Sequence, residues 1–110
     1  MILEVAILNI RNGSGDAFEA AFLQASPIIA AVPGYISHEI RPCIETKTRY
    51  VLLVHWSRLE DHTIAFRQSV GYQRWRALLH HFYEPFPTVE HYGSPFASNV
   101  SAGNSEPAPT

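Results

Sequence analysis

The stretch Tyr50-Val51-Leu52-Leu53-Val54 decides the fold of this 110-residue chain, because all five side chains are apolar or aromatic. A strand with one face in water alternates apolar and polar residues, whereas a strand covered on both faces is apolar at every position. The stretch therefore predicts a strand of a sheet that is covered on both faces. A chain of this length can cover one face with its own helices, so we expect a second copy to cover the other.

The segments on either side of this strand predict the order β-α-β-β-α-β. Pro33-Gly34 ends the first helix, and Ser69 is the expected N-cap of the last helical segment. In order, the predicted elements are a strand over residues 2–10, a helix from Ser14 or Asp16 to residue 31 in which Pro27 causes a kink or a restart at Ser26, strands over 35–40 and 47–56, a helix over 59–68, a second helical segment over 72–82 and a strand over 88–92. This order is typical of the ferredoxin-like α+β fold, a four-stranded antiparallel sheet with both helices on one face.

The chain divides into one folded domain, residues 1–93, and a C-terminal tail, residues 94–110. The tail consists mainly of Ser, Asn, Gly, Pro and Ala and has almost no apolar content. Such a segment cannot bury enough surface to fold alone, so we expect the tail to be flexible.

Composition and charge exclude several classes of protein. Hydrophobic residues make up 46% of the chain, and the formal net charge of −2 comes with scattered Lys and Arg, so no nucleic-acid surface is predicted. No apolar run approaches the ~20 residues of a membrane span, and the early run Val5–Leu8 lacks the basic flank of a signal peptide, so neither is expected. The single cysteine, Cys43, excludes an intrachain disulfide. We therefore expect a soluble, cytoplasmic protein.

The six histidines do not have the spacing of a metal site, and no metal is predicted. His38, His55 and His91 fall on three different predicted strands. If they share a face of the sheet, one of them can act as a general base near neutral pH. The alternative for each is an ordinary surface or hydrogen-bonded histidine.

Aromatic residues on the broken second helix are the candidates for binding a flat ligand. Tyr72 and Trp75 lie on one apolar stripe, and Phe66 precedes the break. Each can stack on an aromatic ligand or pack in the core. Arg67, next to the break, can hold a phenolate or a carboxylate, although arginines at such positions are more often solvated.

The chain resembles the antibiotic biosynthesis monooxygenase (ABM) family of dimeric α+β barrels over roughly residues 2–93. The resemblance rests on the opening strand and on Pro33-Gly34-Tyr35, Val54-His55-Trp56-Ser57-Arg58-Leu59-Glu60-Asp61-His62, Phe66-Arg67-Gln68-Ser69, Tyr72-Gln73-Arg74-Trp75 and Val89-Glu90-His91-Tyr92. It implies a homodimer in which two sheets face each other, with a ligand pocket between sheet and helices in each subunit.

The resemblance also implies an activity, since some members oxygenate electron-rich phenols or quinols with O₂ and no cofactor. His38, His55, Arg67 and His91 are then the expected catalytic residues, with Phe66, Tyr72 and Trp75 as substrate-binding residues. Other members break down haem with an Asn, a Trp and a His, but the matching positions here are Ala6, Phe66 and Arg76. Haem degradation is therefore not expected.

Two functions are consistent with these observations. The first is a cofactor-independent monooxygenase that acts on a small aromatic substrate. The second is a non-catalytic dimer that binds a small ligand. A pocket filled by Phe66, Tyr72 and Trp75 would favour the second, whereas an open cavity lined by two or more polar groups would favour the first.

Overall fold

A computed structural model of the chain describes residues 1–99. Its elements are β1 Ile2–Asn9, α1 Gly15–Ala30, β2 Tyr35–Pro42, β3 Arg49–Trp56, a π-helical turn Asp61–Phe66, α2 Val70–Leu79, a 3₁₀ turn His80–Phe82 and β4 Val89–Tyr92. The expected tail lies mostly outside the described residues. Its first six residues, 94–99, have no helix or strand.

The four strands form one sheet in the order β2-β3-β1-β4, and every neighbouring pair is antiparallel. Together with two main helices, this topology confirms the ferredoxin-like α+β fold. The helices pack against each other and against one face of the sheet, here called the inner face. Among residues 1–99, no helix is long and apolar enough to span a membrane.

Alternation along the two central strands determines which side chains enter the core. Ala6 and Leu8 of β1 and Leu52, Val54 and Trp56 of β3 are all buried on the inner face. The intervening apolar residues point to the opposite, outer face and are half-buried or exposed: Leu3, Val5, Ile7, Val51 and Leu53. The central strands are therefore apolar on both faces, as their sequence predicts.

Helix α1 runs through Pro27 as one helix, so it does not restart at Ser26. Proline removes one amide donor from the helix. The buried stripe Phe18, Phe22, Ala25 and Ile29 continues on both sides of it and holds both halves against the sheet. Packing thus offsets the local cost of the proline.

The helix predicted over residues 59–68 is instead a six-residue π-helical turn. Its hydrogen bonds span five residues rather than four, so Asp61 and Phe66 come to the same side. Both are buried, as is His62, and Asp61 accepts a hydrogen bond from the Arg58 amide at 3.0 Å. Ser69 then caps α2 as predicted, since its hydroxyl accepts a hydrogen bond from the Tyr72 amide at 3.2 Å.

Candidate functional site

A cavity of about 80 Å³ lies between the inner face of the sheet, the π-helical turn, α2 and the segment that leads into β4. Its polar lining includes a carboxylate, an imidazole and a guanidinium, and its remaining walls are largely apolar or aromatic. The lining residues are Glu4, Ala6, Leu8, Leu52, His62, Phe66, Arg67, Tyr72, Trp75, His80, Tyr83, Phe86, Pro87 and Val89.

Glu4 is the buried acid of this cavity. It occupies an inner-face position of β1, where its neighbours along the strand are core residues, and it is only 4% exposed. The indole N–H of Trp56 donates a hydrogen bond to its Oε1 atom at 2.9 Å. Burial of a carboxylate is costly unless such partners are present, so the Trp56 bond helps to hold Glu4 in place.

His62, on the π-helical turn, lies between Glu4 and the edge strand β4. Its Nε2 atom is 3.5 Å from Oε1 of Glu4, and its Nδ1 atom is 2.7 Å from Nε2 of His91. Its ring stacks on Trp56 with centroids 5.5 Å apart. The order Glu4, His62, His91 therefore leads from the cavity to the edge of the sheet, and we call these three residues the acid–histidine chain.

Burial shifts the pKa values within the acid–histidine chain in opposite directions, upward for the acid and downward for the two histidines. It raises the pKa of Glu4, although the hydrogen bond from Trp56 and the charge of Arg67 offset part of that rise. Burial, together with the charges of Arg67 and His91, lowers the pKa of His62 to about 3. The pKa of His91 is also lowered, by burial and by Arg67. His62 is therefore neutral at physiological pH, and its contact with Glu4 is not an ion pair.

Arg67 lies at the mouth of the cavity. Its side chain lines the cavity, yet the residue is exposed. Within residues 1–99, it has no carboxylate within 4.0 Å, in contrast to Arg11, Arg41 and Arg58. A guanidinium in this position can hold an anionic oxygen of a ligand that lies beside Glu4.

The acid–histidine chain is not arranged as a chelate. The two ring nitrogens of His62 lie on different sides of the ring and meet different partners, so they do not converge with His91 and Glu4 on one point. In the described part of the chain, no group of three or more His, Cys, Asp or Glu side chains is arranged to hold a metal ion. The geometry is suited to proton transfer.

The structure brings together five of the seven site residues predicted from the sequence. Phe66 and Trp75 are buried and form the roof of the cavity, with ring centroids 5.4 Å apart, and Tyr72 is half-buried beside them. Arg67 completes the lining, and His91 joins through His62.

The other two predicted residues lie elsewhere. His38 faces the inner side of β2, but it is bound between Ser26, whose Oγ is 2.9 Å from Nε2, and the Tyr35 hydroxyl, which contacts Nδ1. His55 is on the outer face, where Nδ1 is 3.2 Å from the Ser37 hydroxyl. The three strand histidines do not share one site.

Glu4 and His62 are the site residues that the sequence analysis missed. The available signal was the alternation of inner and outer positions along β1, which places Glu4 on the same face as Ala6 and Leu8. An acid is unexpected at such a buried position. Glu4 pairs with Val54 and His91 on the neighbouring strands, and all three side chains face the helices. Nothing in the sequence indicates the π-helical turn that directs His62 inward.

A larger groove, of about 230 Å³, lies between α1 and the edge strand β2 and is separate from this site. Its walls are mainly apolar, and its single carboxylate, Glu19, accepts a hydrogen bond from the Tyr50 hydroxyl at 2.6 Å. Because that polar pair satisfies itself, the smaller cavity with its buried acid is the better candidate for chemistry.

Comparison with known proteins gives a consistent result. Residues 1–78 match the family described as Antibiotic biosynthesis monooxygenase. The uncharacterized protein YczJ of Bacillus subtilis (strain 168) is 54% identical over 92 residues, which are 84% of this chain and 97% of YczJ. A Bordetella bronchiseptica structure named for the same family has a TM-score of 0.82 at 32% identity and covers 86% of this chain and 97% of its own.

A more distant solved structure carries a stated activity. SnoaB of Streptomyces nogalater, a cofactor-independent oxygenase, has a TM-score of 0.65 at 18% identity, and the match covers 94% of this chain and 97% of SnoaB. At that identity the likeness shows a shared fold alone.

Proposed function

Because this chain belongs to the antibiotic biosynthesis monooxygenase family, we propose that it is a cofactor-independent monooxygenase that acts on an electron-rich phenol or quinol. The observation that carries the proposal is a buried carboxyl group, Glu4, at a cavity whose mouth holds Arg67. A carboxyl group whose pKa is raised by burial is a stronger base than an ordinary glutamate. We place this reaction in the cytoplasm.

In the proposed reaction, Glu4 accepts the proton of the substrate hydroxyl, and Arg67 holds the resulting phenolate. The phenolate gives one electron to O₂, and the ring radical and superoxide combine to form a carbon–oxygen bond. The peroxide anion takes the proton back from Glu4. The O–O bond then breaks, and the hydrogen on the same carbon leaves with the distal oxygen as water. The product is a quinone, so that one oxygen atom of O₂ enters the substrate and the other becomes water.

Phe66, Tyr72 and Trp75 orient the ring in this scheme. An apolar cavity of about 150 Å³ holds benzene, so a ring needs more room than the 80 Å³ present here. Tyr72 is half-buried and Phe86 is 63% exposed at the mouth. Movement of these two side chains would admit the ring while the buried roof stays in place.

Oxygen uptake by the chelator-treated protein tests the proposal, with a panel of anthrones, naphthoquinols and catechols. We expect uptake above the protein-free rate for at least one compound. Glu4→Gln should lower that rate by about 100-fold or more, because it removes the base but keeps an oxygen that accepts the Trp56 N–H. Glu45→Gln, at an exposed turn position, is the matched control and should leave the rate unchanged.

Either of two outcomes would contradict part of the proposal. A rate that survives Glu4→Gln would remove Glu4 as the base. A complete lack of uptake across the panel would favour the second function, a non-catalytic dimer that binds a small ligand. The observation that supports this alternative is the burial of Phe66 and Trp75 beside a cavity of only about 80 Å³.

We also propose that the protein is a homodimer formed through the outer face. The supporting observation is the apolar centre of that face, where Val5 and Leu53 are direct neighbours across β1 and β3. Glu39 and Glu90 flank this pair on the two edge strands. An apolar centre with a charged rim is the usual form of a protein–protein interface.

A further inference from the structure

The acid–histidine chain connects the cavity with the solvent at the edge of the sheet. Glu4 is almost fully buried, His62 is 5% exposed and His91 is half-buried on the edge strand β4. Exposure therefore increases along the chain. Within the described residues, the Nδ1 atom of His91 has no hydrogen-bond partner in the protein, and only Nε2 is used, toward His62.

Which atoms donate and which accept determines the direction of proton transfer along the acid–histidine chain. The Nε2 atom of His62 approaches Oε1 of Glu4 to 3.5 Å without a hydrogen bond between them. An ionised carboxylate can only accept, so the His62 tautomer that can serve Glu4 carries its proton on Nε2. The Nδ1 atom of a neutral His62 is then an acceptor, and the Nε2–H of His91 donates to it across 2.7 Å. This arrangement leaves the Nδ1 atom of His91 as the acceptor that faces solvent.

We propose that His62 and His91 are positioning residues that relay protons between Glu4 and the solvent. A proton taken up at Nδ1 of His91 releases the Nε2 proton to His62, which passes its own Nε2 proton to Glu4. The same steps in reverse remove the proton from Glu4. No bond other than N–H and O–H changes, and one proton enters for each proton that leaves. The inference rests on the proposed function, since it assigns a route to the base of that reaction.

The relay connects Glu4 with solvent while the cavity is occupied. A substrate at the mouth would separate Glu4 from bulk water on the side of Arg67, Tyr72 and His80. The Trp56 indole and the Arg67 guanidinium have no acceptor atom, and burial raises the pKa of Tyr83. In the proposed reaction, Glu4 becomes ionised again when it gives its proton to the peroxide anion. His62 and His91 add a second route, on the side of β4, by which Glu4 exchanges protons with solvent.

The test is the solvent exchange of the His62 Nε2 proton, measured by NMR on protein labelled with ¹⁵N in its histidine rings. His91→Gln keeps an amide near His62, but an amide cannot pass a proton from one nitrogen to another. We expect exchange to slow by about 100-fold in this variant and to recover on addition of imidazole. His81→Gln, an exposed histidine outside the chain, is the control and should exchange like the native protein.

Three results would overturn the relay. Unchanged exchange in His91→Gln would mean that protons reach His62 through the cavity. Slow exchange that imidazole does not restore would mean that His91 has only a structural role. A proton on Nδ1 of His62, read from the ¹⁵N shifts of the native protein, would reverse the direction of the chain.

These results are independent of oxygen uptake. Slow exchange with imidazole recovery would support the relay even if no compound in the panel were oxygenated, in which case the oxygenase proposal alone would fail. Conversely, oxygen uptake that depends on Glu4, together with unchanged exchange in His91→Gln, would leave the oxygenase proposal intact and remove the relay.

Discussion

At the scale of single residues, Glu4 and His62 show how one buried environment acts oppositely on an acid and a base. Burial disfavours the charged form of each, so the pKa of Glu4 rises and that of His62 falls. His62 is therefore neutral at physiological pH, whereas the Trp56 hydrogen bond and the charge of Arg67 oppose the rise in the pKa of Glu4.

The lowered pKa of His62 predicts a loss of stability in acid. The unfolded chain binds a proton at His62 below about pH 6.5, whereas the folded chain does not until about pH 3. Acidification across this window therefore favours the unfolded state, by up to about 1.4 kcal/mol per pH unit. In His62→Gln, we expect the free energy of unfolding to fall less steeply between pH 6 and pH 5, as measured by urea denaturation.

The difference between the native protein and His62→Gln reports the contribution of His62 to the pH dependence of stability. Glu4 contributes with the opposite sign, since its raised pKa favours the folded state in acid and that contribution is lost as the pH rises. His38, His80 and His91 have lowered pKa values and add to the slope in both proteins. Equal slopes for the native protein and the variant would show that His62 binds its proton as readily in the folded state.

For residues on the strands, the sequence does not determine which face of the sheet each side chain occupies. Helical spacing places Tyr72 and Trp75 on one stripe, whereas the family resemblance, rather than spacing, assigned that helix, Phe66 and Arg67 to the pocket. The faces of the strands were not fixed by the pattern of β2, where a bulge between Tyr35 and Ser37 shifts the register. His38 and His55 therefore could not be sorted to their faces in advance.

At the scale of elements, the loop between α1 and β2 docks onto the π-helical turn through Gly34. This glycine has φ of +91°, and a Cβ atom added to it would lie 2.1 Å from the carboxylate of the buried Asp61. Its carbonyl accepts a hydrogen bond from the Ser57 amide at 2.8 Å. Gly34 thus positions the turn that carries His62.

Gly34→Ala is expected to be strongly destabilising. The left-handed backbone costs about 1–2 kcal/mol for a residue with a Cβ atom, and the overlap with Asp61 adds about 1–3 kcal/mol. Gly13→Ala is the matched control, since Gly13 has φ of +80° but no atom within 4 Å of an added Cβ. In urea denaturation, Gly13→Ala should lower the free energy of unfolding only by the backbone cost of about 1–2 kcal/mol. Equal losses in the two variants would contradict the contact with Asp61.

The order and type of the elements were predictable, and their local geometry was not. The strands β1 and β3 and both α-helices follow from apolar periodicity. The carboxylate of Asp61, in the π-helical turn, accepts from the Arg58 amide three residues earlier and lies against Gly34 of a distant loop, and no periodicity indicates that second contact. The second helical segment also changes to a 3₁₀ turn at His80, where Phe82 and Tyr83 are buried.

At the scale of the whole molecule, the two faces of the sheet differ in burial. The inner face holds the core and the acid–histidine chain, while within residues 1–99 the apolar side chains of the outer face stay half-buried or exposed. The run Tyr50-Val51-Leu52-Leu53-Val54 encodes both faces at once. This run is also the reason that the sequence predicts a second subunit.

Leu53→Glu tests that prediction directly. Leu53 is half-buried at the centre of the outer face, in the same row as Glu39 of β2 and Glu90 of β4. A carboxylate placed there would be buried without a partner in the dimer, at a cost of about 3–5 kcal/mol, which weakens association by more than about 100-fold. Sedimentation should show a dimer for the native protein at micromolar concentration and a monomer for the variant. Leu23→Glu, at a position on α1 that is 74% exposed, adds the same charge and should remain dimeric. A native protein that sediments as a monomer would contradict the proposed dimer, because the outer face would then be stable in water without a partner.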